Sequence, residues 1–180
     1  MRITFLGSLL LLTTLHGAAQ AKNDESFTFE RKRAGHTVKV VFTTRPFEPS
    51  RHRITKRKGC PLIDGRMPYG TDCGLPNSEI AAIKFYFDGR EVRVPKRLYA
   101  DCFSPLFSQK YIADGTIKNY FALRIGDDLQ SAFVFMSGGD AAGSYQVLWV
   151  LRRDGHHARF SGACPDCQFI DFNSGFFYEH

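Results

Sequence analysis

Alternation of apolar and polar residues with a period of two governs this chain. Phe27, Phe29 and Arg31 fall on one side and Thr28, Glu30 and Lys32 on the other, and Val38, Val40 and Phe42 then oppose Thr37, Lys39 and Val41. A two-residue period rich in β-branched and aromatic side chains is the pattern of a strand with one buried face. Ala34-Gly35 supplies the turn between these two strands. The pattern recurs at 80–87 and 91–94 around Asp88-Gly89, a dipeptide suited to the positive φ angles of a two-residue hairpin. It recurs again at 119–125, 129–136, 145–152 and 157–160, and a last aromatic stretch at 169–178 reads as an edge strand. Pro95 opens one short helical segment, with Leu98, Tyr99, Cys102 and Phe103 at helical spacing before Pro105 ends it. Consecutive hairpins of this kind predict a mainly β protein: an antiparallel sandwich or open barrel of about eight strands with one or two short helices.

The N-terminus constrains where such a fold works. Arg2, an apolar run over 3–15 and Ala19-Gln20-Ala21 have the three-part order of a cleavable signal peptide. The apolar run is shorter than the roughly 20 residues that cross a bilayer. Residues 1–21 are therefore expected to be removed, leaving 22–180 as a single periplasmic or secreted domain with no membrane-spanning segment. A chain of that length buries enough surface to fold as one unit. Its five cysteines, Cys60, Cys73, Cys102, Cys164 and Cys167, meet an oxidising compartment, and an odd number leaves at least one unpaired within the chain.

Residues 44–78 carry a proline or glycine every few positions, so no long element fits there, and Cys60 and Cys73 bracket the second half. Joining them closes a loop with little structure of its own, which makes this the favoured pair. For Cys164-Pro-Asp-Cys167 the structural reading pairs the two with each other or one of them with Cys102. A redox centre would need the first cysteine at a helix start, and a zinc knuckle would need a second closely spaced pair. No metal site and no cofactor is expected.

Charge is concentrated. Ten Lys and Arg stand against the single acid Glu48 between Arg31 and Lys58, in a chain whose net charge is +6. Arg51, Arg53, Lys56, Arg57 and Lys58 form the densest part, a candidate contact for anionic envelope components and otherwise a solvated loop. Export removes chromosomal DNA as a partner, and the absence of interleaved aromatic residues argues against single-strand stacking.

The loop between the strands at 129–136 and 145–152 is the most distinctive stretch. Ser137, Gly138, Gly139, Asp140, Gly143, Ser144 and Tyr145 are the candidate binding residues, because glycine lets a partner approach the backbone closely. The loop matches neither the phosphate-binding nor the dinucleotide glycine pattern. Ser137-Gly138 together with Gly143-Ser144-Tyr145 resembles the loop of exported bacterial lysozyme inhibitors. Those small β-rich periplasmic proteins insert a Ser-Gly and a nearby Tyr into the enzyme's cleft. The resemblance, confined to this loop, implies an inhibitor-like role. The leading expectation is a non-catalytic exported protein that binds a protein or envelope component through surface loops. The alternative is an exported hydrolase built from Ser144, Asp140 and His156 or His157, although no nucleophile-elbow motif supports it.

Overall fold

The computed structural model describes residues 24–107, 110–111, 117–118, 120–139 and 143–163. The segment expected to be a signal peptide, Asp140, Cys164, Cys167 and the aromatic stretch at 169–178 lie outside them.

Strands β1 (Glu25–Arg33) and β2 (His36–Pro46) form the first hairpin, β3 (Ile54–Arg57) and β4 (Cys60–Ile63) the second, and β5 (Ser78–Phe87) and β6 (Arg90–Arg93) the third. Their turns are Ala34-Gly35, Lys58-Gly59 and Asp88-Gly89, and all six residues have positive φ, between 48° and 88°. Two consecutive positive φ angles give a turn whose twist matches the flanking strands, which is why short dipeptides suffice. One sheet has the order β1-β2-β5-β6, with Phe29 opposite Val40 and Val40 opposite Phe85.

Beyond the short strand β7 (Pro105–Leu106) and the small pair β8 (Lys110–Tyr111) and β9 (Ile117–Lys118), the chain builds the second sheet. It consists of β10 (Phe121–Ile125), β11 (Ser131–Gly138), β12 (Tyr145–Arg152) and β13 (Ala158–Ala163) in that order, with β7 also paired to β11. All these pairings are antiparallel.

The two sheets share one core. Val38, Val40, Phe42, Phe85 and Phe87 from the first meet Leu123, Val134, Met136, Val147, Trp149 and Leu151 from the second. The ring of Phe42 lies 5.7 Å from that of Trp149 across the interface. Edge strands β1 and β10 approach each other, with Phe29 stacked on Phe121 at 3.6 Å, but they do not pair, so the barrel stays open. The mainly β, antiparallel architecture is thus the expected one.

The helical part is smaller than the spacing after Pro95 predicts. Pro49–Arg51 and Lys96–Leu98 are single 3-10 turns. Cys102 and Phe103 instead bridge to Tyr69 and Glu79. Nine residues between two prolines give few helical hydrogen bonds to repay nucleation, and the bridges take the backbone groups a helix would use. Cys102 is nonetheless buried, at 1% exposure. The long loop also gains structure: β3 and β4 lie within it, and Cys60 and Cys73 are joined with Cα atoms 4.5 Å apart. Closing a loop of that length contributes about 3 kcal/mol in the chain-entropy model.

Candidate functional site

The glycine-rich loop packs inward, against the disulfide loop. A Cβ on Gly138 would lie 2.4 Å from ring atoms of Tyr145, the residue directly opposite it in the β11–β12 register. On Gly143 it would lie 2.7–3.0 Å from backbone atoms of Thr71 and Asp72, and on Gly139 (φ +80°) 2.8 Å from Cα of Gly70. The close approach that these glycines allow is made within the chain, and it interlocks the 137–145 loop with the 60–73 loop. The amide of Gly139 donates to Ser104 O at 2.8 Å, and that of Ser137 to Tyr120 O at 2.7 Å. Ser137 and Ser144 stay half-buried at this rim.

Tyr145 points into the core at 1% exposure, its hydroxyl without a hydrogen-bond partner among the described residues. Burial, with the neighbouring Cys102 and Asp101 adding to it, holds its phenol well above the usual range, so the hydroxyl stays protonated. A partner meeting this rim therefore meets Ser137, Ser144 and the neighbouring Asp72 rather than the Tyr145 ring.

Beneath Tyr145 lies a polar cluster that strand patterning did not reveal. Arg159 on β13 donates to both carboxylate oxygens of Asp101, one of them at 3.1 Å, to Leu98 O at 3.3 Å, and approaches the Cys102 sulfur at 3.8 Å. It also lies 5.8 Å from the centre of the Tyr69 ring. Burial pushes the Cys102 thiol up to about 12, which leaves it a poor nucleophile.

A second unforeseen cluster fastens the β3–β4 hairpin to the first sheet. His52, stacked on Phe47 at 4.8 Å, has its side chain only 5% exposed. Its Nδ1 lies 2.8 Å from Asp64, within the hairpin's own return, and its Nε2 lies 3.0 Å from Glu79 on β5. That second contact is close enough for an ion pair but off the direction of a hydrogen bond. Arg45 holds the other oxygen of Glu79. The contact with His52 and the Arg53 amide keep the Asp64 carboxyl below its usual range.

The basic residues divide. Arg51 pairs with Glu48 at 2.7 Å. Arg53, Lys56, Arg57 and Lys58 are exposed along the hairpin.

Of the hydrolase alternative, Asp140 lies outside the described residues, and Ser144 and the two histidines are not brought together. Ser144 precedes β12 and His156 and His157 follow it, and eight strand residues span about 26 Å. His157 is fully engaged as well: Nδ1 accepts the Arg152 N–H at 3.0 Å, and Nε2 lies 3.0 Å from Arg93 O. A carbonyl can only accept, so Nε2 carries the proton and the ring is neutral. Burial lowers the pKa of His157 in agreement with this.

Acid is expected to destabilise the fold, because the resolved shifts at His157 and at the aspartates share one sign. His157 lies below its ordinary 6.5, and Asp64, Asp88, Asp127, Asp128 and Asp154 lie below 3.8. Each group binds protons less readily folded than unfolded. The stability it adds is therefore complete above the unfolded value and lost as pH falls through the folded one. Urea midpoints should drop on acidification, and His157→Gln should flatten the part of the drop that begins near pH 6.5. A wild-type midpoint that rises between pH 7 and pH 5 would contradict this.

Among the described residues no group of three or more His, Cys, Asp or Glu could hold a metal ion, and no helix is long and apolar enough to cross a membrane. Compared with family models, with curated proteins and with solved structures, the chain matches none.

Proposed function

We propose that this chain is an exported binding protein that engages a macromolecular partner, without acting on it chemically, through the rim where the 60–73 and 137–145 loops interlock. The observation that carries the reading is the interlock itself. Gly139 and Gly143, the described ends of one loop, press against Gly70, Thr71 and Asp72 of a second loop that the disulfide closes, so the described rim is presented with little ordering cost on binding. Exposed Met67 and Leu75, at 55% and 50%, place apolar side chains in and just beyond the disulfide loop. Apolar side chains exposed on a rigid support are available to be buried in a protein contact. The inhibitor role is the sharpest form of this reading, with Ser137 and Ser144 as the polar contacts of the rim.

Asp72 is exposed beside Gly143, so its charge can be reversed without disturbing the core. Capture of a partner from envelope extract by the oxidised mature protein should fall about tenfold in Asp72→Arg, the effect of roughly one lost rim contact. His156→Ala, at the far end of β12, should leave capture unchanged. Equal capture by wild type and Asp72→Arg would sink the rim, and slowing of one enzyme in a panel of lysozymes would support the inhibitor form.

A further inference from the structure

We infer that the hairpin end of the molecule docks on a phospholipid surface rich in anionic headgroups. The inference rests on the reading above only in placing the mature chain outside the cytoplasm, where membrane leaflets face it.

The hairpin has two unlike faces. Ile54 and Lys56 lie opposite Ile63 and Pro61, so these four share one side, and its buried Pro61 and Ile63 turn that side toward the body of the protein. Arg53, Thr55 and Arg57 alternate onto the other side, which faces out. Lys58 occupies the turn at φ +49°.

Other segments extend the charge. Arg66 exchanges both backbone hydrogen bonds with Ile63 at the hairpin's foot, and its guanidinium donates to Arg97 O at 3.3 Å. That contact brings the exposed Lys96 and Arg97 alongside, and Lys96 is close enough to lower the Asp64 carboxyl. Asp64, an acid at this foot, is already held by His52 and the Arg53 amide. Among the described residues no carboxylate stands within ion-pair distance of the side chains of Arg53, Lys56, Arg57, Lys58, Arg66 or Arg97.

Unpaired cations alone would suit any polyanion. The apolar groups beside them select among polyanions. Met67 follows Arg66 directly. Leu75 lies two residues beyond Cys73, which is bonded to Cys60 opposite Arg57. Apolar side chains at both ends of a cationic strip match a bilayer surface, where phosphates meet the long Lys and Arg stems and an apolar layer lies just below. A soluble acidic polymer offers nothing to Met67 or Leu75.

The test is co-sedimentation of the mature, oxidised protein with vesicles of phosphatidylglycerol and phosphatidylcholine in equal parts, against vesicles of phosphatidylcholine alone. Binding is expected to the anionic vesicles and to weaken steeply with salt. Arg53→Gln/Arg57→Gln/Lys58→Gln, on the outward side and the turn, should weaken it about a hundredfold, close to fivefold for each cation removed. Met67→Ser/Leu75→Ser should weaken it while leaving the salt dependence in place. Equal binding to both vesicle types, or wild-type binding by the triple variant, would overturn the inference. So would polyglutamate binding as tight as vesicle binding and indifferent to Met67→Ser, which would assign the strip to an acidic protein. Loss of vesicle binding alongside Asp72-dependent capture removes the lipid surface alone. Vesicle binding with Asp72-independent capture removes the rim alone.

Discussion

Asp101→Ala is expected to cost about 4 kcal/mol of folding stability, because it strands a charge that the protein cannot neutralise. The Arg159 side chain is 17% exposed and Asp101 takes hydrogen bonds from both of its terminal nitrogens. Burial pulls the guanidinium pKa down, yet the hydrogen bond and charge of Asp101 hold it above its ordinary value. Without Asp101 the cation keeps its proton, since an arginine does not titrate at any ordinary pH, and among the described residues it retains Leu98 O, the weak sulfur contact and the distant Tyr69 ring. The pair fastens the edge strand β13 to the 95–103 segment, so its loss should also speed hydrogen exchange along β13. Equilibrium urea unfolding is the check. Asp101→Leu/Arg159→Met, which removes both charges and fills the space, should recover most of the loss. An Asp101→Ala variant within 1 kcal/mol of wild type would show that water already solvates this pair.

The same strand shows where sequence patterning stops. Along β13 the apolar residue Phe160 faces outward at 58% exposure, while Arg159 faces in. Alternation predicts the reverse. The polarity is set by Asp101, 58 residues away, and no local window contains that partner. His52 is hidden for the same reason: its two carboxylates arrive from residues 64 and 79. Features fixed by neighbours in sequence were legible. Ala34-Gly35 and Asp88-Gly89 close their hairpins where the pattern places the turns, Asp88-Gly89 with the positive φ angles it suggests, and Cys60 pairs with Cys73 across a stretch that has few other means of closure.

Tyr145 is an intermediate case. Tyr145, Val147, Trp149 and Leu151 share one parity, and the structure buries all four. Grouping Tyr145 with the glycines before it sets that parity aside, and the ring lies on the core side of the boundary between loop and strand. Gly138 is then required directly opposite, because the space for its Cβ is filled by the Tyr145 ring. The glycine composition of the loop thus reports close packing within the chain first.

Trp149→Ala should produce a loss of similar size by a different route. Trp149 is the chain's only tryptophan and is fully buried. Its ring meets Phe42 across the two sheets, and its Nε1–H donates to Leu98 O at 2.7 Å. Truncation removes the largest side chain at the sheet interface and leaves a cavity that two paired sheets cannot collapse to fill, at a cost of about 4 kcal/mol. Trp149→Phe keeps most of the volume and should cost about 1.5 kcal/mol. The Leu98 carbonyl is not orphaned there, because Arg159 donates to it as well. That shared acceptor makes a further result testable. Trp149 on β12 and Arg159 on β13 both hold the 95–103 segment through one carbonyl, so Trp149→Phe and Asp101→Ala should be coupled rather than additive. A double-mutant cycle followed by far-UV circular dichroism measures this. A sum within 0.3 kcal/mol of the single effects would show that the two anchors act independently, and a larger deviation would show that they are coupled through the Leu98 carbonyl.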